Sequence, residues 1–278
     1  MDNKKKATPG GLRDKPFVDI FFLESMDETI FYNYQRYDFY QLLWFKKVGS
    51  DNRYLIDFRE YEVADNQVVV VFPGQIDRLN IQGKEGVLFA IHNDVFFRIN
   101  QHLKSPYLSG YLSNIFIDLD QRTTNILNTI VELILLEREA ANRLTIMETY
   151  TEAFLFHVAS LFETKNQRIK VDSLVAELMR LIDRNFIHER ETLFYSNQLG
   201  ITPKKLNQAC IRGTGKTLKQ HLQERLVLEI KKEIRMGQKS LKEIAFDLRF
   251  NEPAYFTRFF KQHTGYTPTQ FKEQESVL

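Results

Sequence analysis

One stretch of this chain is written twice. "SNQLGI" (196–201) matches "AFDLRF" (245–250) at an offset of 49. After one inserted residue, "LNQACIRGTGKTLKQ" (206–220) matches "FTRFFKQHTGYTPTQ" (256–270) at an offset of 50. Self-similarity of this kind means one supersecondary unit used twice. Each copy has a small residue (Ser196, Ala245), Leu three positions on (Leu199, Leu248) and an apolar residue two beyond that (Ile201, Phe250). A polar turn follows, Thr202-Pro203 or Asn251-Glu252-Pro253, then a helix with its apolar face at Leu206, Ala209 and Cys210 or at Phe256, Phe259 and Phe260. The small residue lets two helices cross closely, and the Leu and Ile/Phe pack between them, which is helix-turn-helix geometry. Thr202 and Asn251 are expected to cap the second helix, with Pro in its first turn. Gly215 and Gly265 are expected to end it in a left-handed conformation.

The repeat also decides what "GTGKT" (213–217) is. Gly215-Lys216-Thr217 ends like a phosphate-binding loop, but Gly-x4-Gly-Lys-Thr needs its first glycine where Cys210 stands. It also needs a strand in front, whereas the periodicity predicts a helix. The segment therefore reads as a helix stop and restart, and the only phosphate left for Lys216 is one in a nucleic-acid backbone.

With the repeat in place, residues 171–278 resemble the DNA-binding domain of AraC/XylS-type transcription regulators. The stretch "SLKEIAFDLRFNEPAYFTRFFKQHTGYTPTQF" (240–271) is the most specific. The resemblance implies two helix-turn-helix units joined by a long helix, here Thr217 to about Met236, with both second helices entering successive major grooves of double-stranded DNA. It places Lys204, Asn207 and Gln208 in the first unit, and Ala254, Thr257 and Arg258 in the second, at base-reading positions. Lys205, Arg212, Lys216 and Lys261 are suited to phosphates, which position a protein without reading sequence. Charge agrees in sign: residues 170–278 hold 19 Lys+Arg against 13 Asp+Glu, a balance of +6, whereas the rest is at −4.

The first half has a different grammar. "DFYQLLWFKKV" (38–48), "YLIDFREYEV" (54–63), "QVVVVF" (67–72) and "GVLFAI" (86–91) are short, β-branched and aromatic, and separated by turn residues. These predict an antiparallel barrel or sandwich, and the resemblance implies a cupin-like β-barrel. Two amphipathic stretches follow, with stripes at Leu127, Val131 and Ile134, and at Met147, Phe154, Val158 and Leu161. A share of one stripe is expected to face a second copy in a homodimer. The fold class expected is thus α+β: a disordered tail at 1–16, a cupin-like domain with dimerisation helices at 17–163, a linker at 164–170, and an all-α double helix-turn-helix domain at 171–278. Asp172 is the expected cap of its first helix, with Leu174, Leu178, Leu181 and Phe186 on the buried face.

Enzyme readings fail on missing parts. The six histidines, at 92, 102, 157, 188, 221 and 263, include no His-x-His pair for a metal-using cupin. "PGQID" (73–77) resembles a turn common in such regulatory domains, with Asp77 where His is usual. Cys210 is the chain's one cysteine, so neither an intrachain disulfide nor a cysteine zinc cluster can form. No cofactor and no metal are expected, no apolar run approaches membrane-spanning length, and the cytoplasm is the default compartment. RNA polymerase and a small effector in the barrel stay open as partners, the effector site unknown, with Arg36, Arg59 and Arg78 as charges for an anionic one. The competing class is a protein-interaction module, or a regulator without an effector that is controlled by dimerisation or a partner protein.

Overall fold

The computed structural model of the 278-residue chain describes residues 16–103, 115–140, 143–165 and 173–274. The expected tail, save Pro16, and the Asp172 cap fall outside them, as does the expected linker beyond Lys165. The chain divides into two compact units, Met1–Ile169 and Lys170–Leu278.

The first unit holds two antiparallel sheets. Strands β1 (Val18–Phe22), β3 (Tyr40–Lys47), β6 (Gln67–Val71), β8 (Glu85–Ile91) and β9 (Ile115–Asp118) form one, in the order β1-β8-β3-β6-β9. Strands β2 (Gln35–Arg36), β4 (Arg53–Ile56), β5 (Arg59–Glu62) and β7 (Ile76–Leu79) form the other, in the order β2-β7-β4-β5. Among the described residues no strand pairs across both sheets, so the unit is a sandwich, one of the two architectures the strand spacing allows, and not the closed cupin-like barrel that the resemblance implied. Helices α1 (Asn93–Leu103), α2 (Gln121–Ala140) and α3 (Leu144–Lys165) complete it.

The five-stranded sheet is covered on both faces, which explains why β6 is buried at every residue instead of alternating. Leu42, Trp44, Val68, Val70, Val87 and Phe89 point one way, into a cluster with the helices. Leu43, Phe45, Val69, Val71 and Leu88 point the other way, against Tyr54, Ile56 and Leu79 of the second sheet. The helical stripes are spent here. Leu127, Val131, Ile134, Met147, Phe154 and Val158 are all buried in the first cluster, with Leu161 packed against it, so none is left for a partner.

Between the two sheets lies one acid. Asp77 is fully buried and accepts hydrogen bonds from the Tyr54 hydroxyl at 2.8 Å and the Gln41 amide at 3.4 Å. The second unit is helical among the described residues: α4 (Ser173–Asn185), α5 (Thr192–Gln198), α6 (Pro203–Thr214), α7 (Leu218–Met236), α8 (Leu241–Asp247), α9 (Pro253–Thr264) and α10 (Pro268–Gln274). The buried face of α4 is Val175, Leu178, Met179 and Ile182, one residue out of phase with the expected Leu174 and Leu181, which are half-buried. Phe186, just past the helix, is buried as expected. Arg225 of α7 ties this helix down, donating to Asp183 at 2.7 Å and Glu229 at 2.8 Å with its guanidinium 4.1 Å from the Phe186 ring.

Candidate nucleic-acid interface

The repeat survives into three dimensions position by position. Helices α5 and α8 are seven residues each, and α6 and α9 are twelve, both with Pro at the first position. Leu206, Ala209 and Cys210 are buried in α6, as are Phe256, Phe259 and Phe260, each 50 positions later, in α9. Both helices stop at a left-handed glycine, Gly215 at φ 75° and Gly265 at φ 83°. Just before each, a threonine hydroxyl (Thr214, Thr264) donates to the carbonyl four residues back at 2.8 Å.

The "GTGKT" segment is built as a joint. After Gly215 stops α6, Thr217 opens α7 with a capping box: its hydroxyl accepts from the Gln220 backbone N–H, and the Gln220 side chain accepts from the Thr217 N–H. Gly213 serves close approach, because a β-carbon there would lie 2.8 Å from Cγ2 of Val175 on α4. The caps of the second helices differ. Thr202 accepts from the Lys205 N–H at 3.4 Å, as expected. Asn251 does not cap α9; the inserted residue puts Glu252 at the N-cap, with no side-chain hydrogen bond.

Opposite the buried faces, Lys204, Lys205, Gln208 and Arg212 of α6 are exposed, as are Ala254, Arg258 and Lys261 of α9, while Asn207 and Thr257 are half-buried. The 50-residue offset pairs Gln208 with Arg258 and Asn207 with Thr257. Three expected site residues have other engagements. Asn207 Oδ1 accepts the Leu218 N–H at 3.1 Å, satisfying an orphan donor at the start of α7. Lys216 Nζ lies 2.7 Å from both carboxylate oxygens of Glu224. Thr257 donates its hydroxyl to the Pro253 carbonyl at 3.0 Å, leaving its methyl group and lone pairs.

Arginines outside those expected positions gather at the second turn. An open cleft of about 390 Å³ is lined by Arg190, Arg249, Asn251, Glu252, Tyr255 and Arg258, with Phe250 as the remaining wall. Arg190 donates to the Leu248 carbonyl at the end of α8, and its guanidinium lies 4.9 Å from the Phe250 ring centre. Burial pushes its pKa below the usual arginine value, and Tyr255 pulls it back up. The signal that could have found Arg249 was the repeat itself, which aligns it with Gly200.

Residues 195–274 match the family model described as a helix-turn-helix domain. The chain is 29% identical over 111 residues to an uncharacterized HTH-type transcriptional regulator in the cgkA 5′ region of Pseudoalteromonas carrageenovora, covering 40% of this chain and 66% of that protein. It is 37% identical over 63 residues to the probable transcription factor PqrA of Proteus vulgaris, covering 23% and 52%. The chain thus spans about two thirds and about half of these relatives. Among solved structures it is similar to ToxT from Vibrio cholerae, at 11% identity and a TM-score of 0.47 over 92% of this chain and 97% of that one. Through its duplicated unit, the family model that covers it and the relatives that share it, the chain carries over residues 195–274 a helix-turn-helix domain similar to those of transcriptional regulators.

Proposed function

We propose that the chain is a sequence-specific DNA-binding transcription regulator whose two helix-turn-helix units enter successive major grooves of a promoter. The observation that carries this reading is the matched pair α6 and α9: each buries the same three positions and leaves a cationic face exposed, in a unit with a charge of +6. Arg258 and Gln208 stand at equivalent exposed positions, suited to guanine and adenine respectively. Lys204 joins them in the first unit. In the second, Ala254 and the Thr257 methyl group suit a thymine methyl. Asn207 reads through its amide N–H groups, because its oxygen is spent on Leu218. Lys205, Arg212 and Lys261 take phosphates, and Lys216 does so only by leaving Glu224.

In this reading the N-terminal unit supplies control through pairing of two copies, with a small effector as a further input, RNA polymerase as the machinery addressed and the cytoplasm as the place of action. The outer faces of α2 and α3 are the pairing surface proposed, since Leu136 and Phe156 stand exposed there while the inner stripes are consumed.

The test is a titration of Arg258→Ala and Lys261→Ala against the footprinted genomic site and scrambled DNA at several salt concentrations. Arg258→Ala should cost about 1–3 kcal/mol on the footprinted site and little on scrambled DNA. Lys261→Ala should weaken both alike and lower the salt slope by about one. Equal losses from Arg258→Ala on both DNAs would make it a backbone clamp. Affinity independent of salt would assign the surface to a protein partner instead.

A further inference from the structure

Arg249 sits where the fold asks for glycine. The repeat aligns it with Gly200, and both residues are left-handed, Arg249 at φ 57° and Gly200 at φ 65°. For an L-residue with a β-carbon that conformation is disfavoured by contact with the backbone carbonyl. The first copy makes the same turn without a side chain, so turn geometry alone does not account for an arginine. Nor do internal contacts: the Arg249 side chain is exposed and, among the described residues, makes no hydrogen bond or ion pair. The same is true of the Arg258 side chain, which lines the same cleft.

We propose that Arg249 is a phosphodiester clamp, holding one DNA backbone phosphate in the cleft it shares with Arg190 and Arg258, beside the reading face of α9. The proposal rests on the DNA-binding reading above. Three arginines face one acid, Glu252, so the cleft carries an excess of two positive charges with no internal anion to balance them. Arg190 spends one edge on the Leu248 carbonyl and lies against the Phe250 ring, which pins the turn from beneath. It has five N–H donors, so this use does not exhaust it. A planar guanidinium matches the paired oxygens of a phosphodiester. The place also fits, since backbone contacts flank a helix seated in the major groove and set its register.

The full chain is titrated by fluorescence anisotropy with a mixed-sequence 24-base-pair duplex across potassium chloride concentrations, because a phosphate contact does not depend on sequence. Arg249→Gly should lower the slope of log affinity against log salt by about 0.9, which is about eightfold in affinity at 0.1 M salt. Glycine suits the left-handed turn, so the variant should fold and melt within a few degrees of the wild type. Arg249→Lys should keep the slope, and Glu252→Gln should raise affinity. An unchanged slope in Arg249→Gly beside a steep wild-type slope overturns the clamp while leaving DNA binding intact. A flat wild-type slope sinks the DNA-binding reading itself. A last arm uses calorimetry with inorganic phosphate: Arg249-dependent millimolar binding, combined with an unchanged DNA slope, would give the cleft to a free anion and overturn the proposal.

Discussion

Asp77 is enclosed between the two sheets, and burial pushes its carboxyl up to about 6, against the downward pull of the Tyr54 hydroxyl and the Gln41 amide. The folded state therefore holds a proton that the unfolded chain releases nearer pH 4. Stability of the N-terminal unit is highest below pH 4 with respect to this group, falls as pH rises toward 6, and stays lower above. The penalty at pH 7 is on the order of 3 kcal/mol. Gln41 Oε1 is buried without a partner, and an amide at position 77 that keeps its oxygen toward Tyr54 places its donor beside the Gln41 amide, whose flip then pairs that donor with Oε1. Asp77→Asn should thus raise urea stability at pH 7 and flatten the profile between pH 4.5 and 7; a variant with the wild-type pH profile would remove Asp77 as its source. The sequence showed an unusual acid in "PGQID" but not its burial, which depends on strands from three separate segments. The same limit hid Asn207's bond to Leu218, eleven residues on, because side-chain competition is a tertiary fact.

Elements were legible wherever the local code was redundant. Helices α6 and α9 were readable because proline, apolar spacing and a terminal Thr-Gly all repeat. "YLIDFREYEV" was not, since it folds as the hairpin β4–β5 and not as one strand. Its turn, Asp57-Phe58, has φ of 50° and 64°, a pattern usually announced by Asn-Gly or Asp-Gly. Here Asp57 secures it by accepting from the Ile76 N–H and the Gln75 amide, contacts with a strand about twenty residues away. At the α4–α6 crossing, Gly213 lies inside a helix, where alanine would ordinarily stabilise by about 0.5–1 kcal/mol. Because the added carbon meets Val175, Gly213→Ala should instead destabilise by about 1–3 kcal/mol. Pairing it with Val175→Ala should recover part of that loss, which denaturant titration of both variants and the double mutant would measure. A stabilised single variant would mean that the crossing has room for the added carbon.

At the scale of the whole molecule, a one-dimensional pattern could say that α2 and α3 are amphipathic but not which surface takes their apolar stripe. Their own sheet takes it, so pairing through these two helices must use their outer faces. Sedimentation of the full chain should then give a dimer, with Leu136→Glu combined with Phe156→Glu shifting it to monomer while the far-ultraviolet circular dichroism stays native. A wild-type monomer at high micromolar concentration would discard the pairing surface. Helix α7 has a consequence of its own. Nineteen residues at 1.5 Å each give a strut about 28 Å long, capped at one end by a box and at the other by left-handed Gly237, with α6 and α9 both packed on it. If the two units read DNA as proposed, such a strut cannot be retuned by the sequence it meets. One base pair inserted between the two contacted sites turns the second by about 34° and moves it by about 3.4 Å, out of phase with α9. A full helical turn of insertion restores the angle but leaves the site beyond reach. Under the proposed function the spacing of the target is therefore a property carried by the protein, and a genome could vary the letters of the site more freely than the gap between them.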